Sequence, residues 1–210
     1  MSFIESLSEY QLDALKEVGN IGSGNAATAL SSLLNRKVDM KVPAVRIVGF
    51  DEMMDLVGGP DTLIVSVFLR IEGQAPGNMF FVLAPDEAES FVQEMTGIKS
   101  FSMQEPNMDE IGLSALQECG NILAGSYLSA LSDFIQILLQ PSVPQLHIDM
   151  AAAILTQGLI ELSQASDYAI IIETIINEQD SDSAPIKGHF FLLPDPESFS
   201  KIFERLGVPE

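Results

Sequence analysis

Two short rows of side chains in this sequence carry chemistry, and each is written twice. Asp13, Glu17 and Asn20 recur as Ser114, Glu118 and Asn121, and Pro43 recurs as Pro144, always 101 residues later. Gly19, Ile21, Gly24 and Ala29 recur at the same offset as Gly120, Ile122, Gly125 and Ala130. A constant offset marks two copies of one structural unit. A glutamate can act as a base or hold a partner's ammonium group. A carboxamide donates and accepts hydrogen bonds but has no useful pKa, so an asparagine orients water rather than deprotonating it. Neither copy carries a repeated nucleophile or metal cluster. This pattern suits a reaction whose substrate brings most of the machinery, as in phosphoryl transfers where a carboxamide positions the attacking water.

The spacing requires a helix. At about 100° per residue, Asp13, Glu17, Asn20 and Gly24 fall within an arc of roughly 60°. Ser114, Glu118, Asn121 and Gly125 form the matching row. Ala14, Val18 and Ile21 follow at i, i+4 and i+7 on the neighbouring arc, and this stripe is expected to pack inward. Ala115, Cys119 and Ile122 repeat it. The first helix is predicted over about Ser8–Asn35, with Ser8 as N-cap and Gln11 completing a capping box. The second is predicted from near Asp109 to about Leu131. Gly24 leaves room for another backbone on the polar line.

Strands follow each helix. Ala44–Gly49, Thr62–Glu72 and Asn78–Ala84 are expected in the first half, and Gln145–Asp149, Tyr168–Asn177 and Lys187–Leu193 in the second. Their Ile and Val density suits buried strands. Gly73–Gly77 reads as a hairpin turn and Asn177–Pro185 as a longer, mobile one. Short helices are expected after Phe50 and Ile148. Phe81–Asp86 matches Phe190–Asp195: a strand ends, Pro85 or Pro194 punctuates, and a helix starts with an acid near its positive end. Lys99–Met108 is a polar joint. The fold class is α+β: two fused pseudo-symmetric repeats, about 1–105 and 106–210, sharing one central, mostly antiparallel sheet as a single domain over 1–210. Both motif helices lie on one side of it. A half with three strands would otherwise leave a sheet edge to cover.

Composition narrows the function. The 210 residues carry a formal net charge of −20 and are 47% hydrophobic. No basic surface exists to neutralise nucleic-acid phosphates, and anionic membranes are disfavoured for the same reason. The N-terminus lacks the basic and apolar regions of a signal peptide, and no apolar run approaches the roughly 20 residues of a membrane span. A cytoplasmic protein without membrane insertion is expected. The single cysteine, Cys119, excludes an internal disulfide and reads as a small core residue. His147 and His189 align with Arg46 and Phe80, so no histidine is shared between the copies. Met53 and Met54 fit either the core or a contact patch. Gly19–Gly24 lacks the Gly-Lys-Ser/Thr of a P-loop and the preceding strand of a dinucleotide turn. Its glycines fit close helix packing instead.

The pattern Asp/Ser-x3-Glu-x2-Asn-x22-Pro, present twice, resembles the signature of the CheC/FliY/CheX phosphatases of bacterial chemotaxis, and within that family its CheC-type members. The likeness spans the chain, including the LLNRKVDM, LAGSYLSAL and FLLPDPESF segments. The resemblance implies hydrolysis of the aspartyl phosphate on the response regulator CheY. It implies that Asn20 and Asn121 align the attacking water and that Glu17 and Glu118 contact the regulator's active-site lysine. Pro43 and Pro144 would shape the chain beyond each helix, and Asp13 and Ser114 would support. No cofactor is expected on this chain; Mg²⁺ is expected on CheY. The deamidase CheD is implied as a second partner. Two other readings remain open at this point. One is a non-catalytic docking protein for CheY or CheD. The other is a flagellar-switch component of the FliY type, which carries additional segments.

Overall fold

The computed structural model describes residues 9–103, 109–160, 168–178 and 184–206. In chain order the elements are α1 (Glu9–Leu34), β1 (Val38–Lys41), β2 (Val45–Gly49), α2 (Phe50–Leu56), β3 (Leu63–Gly73), β4 (Gly77–Leu83) and α3 (Pro85–Thr96). The second half follows with α4 (Glu110–Ile135), β5 (Leu139–Pro141), β6 (Gln145–Met150), α5 (Ala151–Ile160), β7 (Tyr168–Glu178), β8 (Ile186–Pro194) and α6 (Pro196–Arg205). The two halves repeat the same order of elements.

Among the described residues eight strands lie in one sheet, ordered β1-β7-β8-β4-β3-β5, with β2 also on β7 and β6 also on β3. Every pairing is antiparallel. Strands β4 and β8 pair at the centre, where Phe80 faces Phe191 and Phe81 faces Phe190. The outer strands are exchanged between the halves. Strands β1 and β2 of the first half pair with β7 of the second, and β5 and β6 of the second pair with β3 of the first. Each half thus covers the long strand that the other half leaves open. An uncovered edge of that length would present a row of unpaired backbone groups.

Alternation along the strands divides the core in two. Val65, Val67, Leu69, Met79, Phe81, Ile170, Ile172, Phe190 and Leu192 face the layer of α1, α3, α4 and α6. Ile64, Phe80, Val82, Ala169, Ile171, Phe191 and Leu193 face α2 and α5, where Met53, Ile154 and Leu155 meet them. Met53 is therefore core and Met54 is partly buried against it. The motif helices α1 and α4 pack against each other on the same side of the sheet, as expected from the sequence.

Both motif helices end alike. Asn35 and Gln136, again 101 apart, hold left-handed backbone at φ 49° and 55°. The next amides, of Arg36 and Ile137, donate to the carbonyls of Ser31 and Ser132, each at 3.2 Å. This turn drops the chain into β1 or β5, short strands that the sequence did not announce. Asp109 caps α4, its Oδ1 accepting from the Ile111 amide at 2.9 Å. The Ser8 cap and part of the Asn177–Pro185 loop lie outside the described residues.

Three expectations need correction. The joint after α3 is not simply polar: Phe101 is buried, and its carbonyl accepts from Gln93 Nε2 at 2.9 Å. The strand-to-helix steps are not identical. Pro85 opens α3 at its first turn, whereas Pro194 still belongs to β8 and Asp195 becomes the N-cap, with Pro196 opening α6. The Asp195 carboxylate reaches sideways to Arg70, which donates from Nη1 to Oδ1 at 2.9 Å. Finally, Ile21 does not pack inward; it is 43% exposed. The buried stripe of α1 runs instead through Leu15, Val18, Gly19, Gly22, Ala26 and Leu30. Two glycines in that stripe let the helix approach its neighbours, and this sets its rotation.

Candidate functional site on the two motif helices

The structure places Asp13, Glu17 and Asn20 on the outer face of α1, all exposed. On α4, Ser114 and Glu118 are exposed and Asn121 is half-buried. Each row therefore faces outward, away from the core stripe. The two rows are not equivalent, since Asn20 is exposed and Asn121 is half-buried.

Glycines seat these rows. Gly19 precedes Asn20 and faces the sheet side, where a β-carbon would lie 3.3 Å from Val42 Cγ1 and 3.7 Å from Ile172 Cγ2. Gly120 precedes Asn121, and a β-carbon there would lie 2.6 Å from Val67 Cβ. Each motif helix thus rests on the sheet at the residue just before its asparagine. With that contact made, the next residue, 100° round the helix, turns away from the sheet. Gly24 and Gly125 have no atom within 4 Å of where a β-carbon would stand. Gly19 and Gly22 pack closely, and Gly24 fronts open space, the room on the polar line that its position in the sequence predicts.

The prolines stand where each chain turns back beside its helix. Pro43 is exposed between β1 and β2, next to the Val42 that meets Gly19. Pro144 is half-buried immediately before β6. Its carbonyl accepts from Gln117 Nε2 at 2.6 Å, which ties the segment to α4 beside Glu118. Sequence reasoning did not single out Gln117. The first copy has Lys16 at that place, so the repeat carried no signal for it. The Ser23 hydroxyl donates to the Asn20 carbonyl at 2.9 Å, an attachment to the backbone that leaves the Asn20 amide side chain free of this bond.

Behind the rows the helices are inert. Cys119 is fully buried; desolvation, helped by the neighbouring Glu118 carboxylate, pushes its thiol well above the ordinary range. Tyr127 lies under α1, its hydroxyl 3.1 Å from Thr174 Oγ1. Burial pushes its phenol up to about 12, with the Thr174 hydrogen bond pulling the other way. The histidines lie apart on the sheet: His147 pairs with Ser66, and His189 with Glu173 two strands further on. Burial lowers the His189 pKa, with Glu173 opposing and Arg46 assisting. Among the described residues no group of three or more His, Cys, Asp or Glu side chains could hold a metal ion, and no helix is long and apolar enough to cross a membrane.

A family model described as "CheC-like family" matches residues 11–47 and 111–148. These two stretches contain both rows and both prolines. The chain is also 46% identical over 208 residues, 99% of each protein, to "CheY-P phosphatase CheC" of Bacillus subtilis (strain 168).

The chain belongs to the CheC-like family.

A second relative of the CheC-like chain is the "Flagellar motor switch phosphatase FliY" of the same bacterium. It is 31% identical over 145 residues, which are 69% of this chain and 37% of that protein. Among solved structures, Thermotoga maritima FliY superposes with a TM-score of 0.73 at 22% identity, covering 96% of this chain and 98% of that one. The middle domain of Helicobacter FliM ("FliM middle domain from H. pylori") superposes with a TM-score of 0.63 at 13% identity, covering 95% and 99%. These structural likenesses speak for the fold alone, at identities too low to carry function.

Proposed function

We infer that this chain is a phosphatase that hydrolyses the aspartyl phosphate of the response regulator CheY, with one site on each motif helix. The observation that carries this reading is the outward presentation of two matched glutamate–asparagine rows on a chain 46% identical along its whole length to a CheY-P phosphatase. An exposed convex helix suits a protein substrate that supplies its own pocket.

In this reading the regulator brings the acyl phosphate, the Mg²⁺ beside it and a lysine. Asn20 or Asn121 enters the pocket and holds a water in line with phosphorus, its carboxamide oxygen accepting one water hydrogen. Glu17 or Glu118 pairs with the lysine ammonium and sets the depth of entry. The water oxygen bonds to phosphorus as the bond from phosphorus to the aspartyl oxygen breaks. Inorganic phosphate and a free aspartate carboxylate result, and one proton passes to phosphate or solvent. The gain is mainly orientational, since an aligned water no longer pays for being found and turned. Asp13 and Ser114 support the row from one turn earlier. Pro43 and Pro144 brace the segment running past it. The reading places the protein in the cytoplasm, where its substrate works, and takes CheD as a second partner.

The test is decay of phosphorylated CheY with catalytic amounts of the full chain. Turnover is expected. Asn20→Ala together with Asn121→Ala should reduce it about a hundredfold, the scale of losing one preorganised polar contact to the transition state. A folded double variant that turns over at the original rate overturns the oriented-water role. Stoichiometric protection without turnover would leave a docking protein instead.

A further inference from the structure

Both rows extend beyond the acid and the amide. Tyr10 lies one turn before Asp13 and is 67% exposed; Ile111, its counterpart 101 residues on, lies one turn before Ser114 and is 63% exposed. At 100° per residue, Tyr10, Glu17 and Ile21 fall within an arc of roughly 40°, and Ile111, Glu118 and Ile122 repeat that arc. Each glutamate therefore sits on a line between two apolar side chains. A single exposed apolar residue is ordinary. Tyr10 and Ile111, at the same place in both copies, on the line of the same acid and off the buried stripe, form a pattern that packing among the described residues does not explain.

Charge gives the pattern a purpose. The chain carries a net charge of −20, and the first row itself holds Asp13 and Glu17. Such a surface does not draw an anionic acyl phosphate by long-range attraction. Affinity has to come from burial around the reacting group, and interface energy concentrates in a few apolar or aromatic anchors ringed by polar contacts. Tyr10 and Ile111 have the size, exposure and position for that part.

We propose that Tyr10 and Ile111 are docking anchors for the phosphorylated response regulator, each covering an apolar side chain on the rim of the regulator's phosphoaspartate pocket. This rests on the reading above and adds the contacts that determine affinity. The two sites then differ. Ile21 stands 43% exposed beside Glu17 and enlarges the first anchor, whereas Ile122 packs against the core. The first site binds the regulator more tightly than the second.

The experiment uses the full chain with one site silenced at a time. Tyr10→Ser is placed in an Asn121→Ala background, and Ile111→Ser in an Asn20→Ala background. KM for phosphorylated regulator should rise about tenfold at the first site and less at the second, with kcat changed by no more than about twofold. Calorimetric binding of beryllofluoride-charged regulator to the Tyr10→Ser/Ile111→Ser chain reads the same contacts without turnover, and its Kd should weaken correspondingly. An unaltered KM and Kd overturns the proposal. So does a lowered Tm with unaltered Kd, which would show that these side chains cover part of this chain. If the asparagine variants keep full turnover while Kd weakens, the anchors stand and the water-orienting role falls.

Discussion

A β-carbon on Gly22 would lie 2.6 Å from Cδ1 of Tyr127 and 3.0 Å from its Cα, so α1 meets α4 there nearly backbone to backbone. The contact sits two residues beyond Asn20. It joins the helix of one site to the helix of the other, and it holds the rotation that turns both rows outward.

Gly22 and Gly24 should therefore respond oppositely to alanine. Gly22→Ala forces α1 away from a backbone atom that cannot yield, at a cost of about 1–3 kcal/mol despite the better helix propensity. Gly24→Ala meets nothing and should gain up to about 1 kcal/mol. Urea unfolding of both variants measures this. If the regulator's backbone approaches over Gly24, as the open space there allows, the more stable Gly24→Ala protein should also be the slower enzyme.

The single asparagine variants should separate the sites. Asn20 is exposed, so Asn20→Ala should change unfolding free energy by no more than about 0.5 kcal/mol. Its turnover should fall to what the α4 site alone supports. Asn121→Ala leaves the more open α1 site intact and should retain the larger share of activity. Initial rates at a fixed concentration of phosphorylated regulator give both fractions.

Tyr127 and Thr174 form a buried hydroxyl pair beneath the helix contact. Tyr127→Phe leaves the Thr174 hydroxyl unpaired and should cost about 1–2 kcal/mol. Burial of the phenol, against the pull of the Thr174 hydrogen bond, also makes stability fall with alkali. The folded phenol is pushed up to about 12 from an unfolded value of 10.0. Between these values the folded state holds a proton that the unfolded state has lost, so stability is complete below pH 10 and declines as pH rises towards 12. The decline should approach roughly 3 kcal/mol. Phenylalanine at this position should remove that part of the alkaline slope.

Cys119 should be silent to thiol reagents in the folded protein. It has 0% exposure, and burial holds its thiol protonated well above the ordinary range. Labelling at neutral pH should follow global unfolding and accelerate only near the denaturant midpoint. Rapid labelling of native protein would show that α4 opens locally.

The long helices, the six principal strands and the chemical rows were legible because each depends on local periodicity. A helix of 26 residues shows its polar line at 3.6-residue spacing whatever lies behind it. The 101-residue repeat also survives any folding of the chain. Strands β1 and β5 escaped notice because three or four residues are too few to show alternation. The rotation of α1 escaped for another reason. Val18 and Ile21 look equivalent on a helical projection, yet one is core and the other faces solvent. Only contacts supplied by Val42, Ile172 and Tyr127 separate them.

The sequence by itself determined that two copies of one unit exist and that each aligns a glutamate with an asparagine, because helical hydrogen bonds join residues four apart and read the chain locally. The tertiary structure decided which way those lines point and which copy's outer strands cover which long strand of the shared sheet. Strand pairing between the halves joins residues far apart in the chain, as Arg46 with Ile171 and Ile71 with Pro141, and the partner's identity is not written in either segment. The exchange of outer strands between halves, and the glycine contacts that turn both rows outward, follow from that long-range choice.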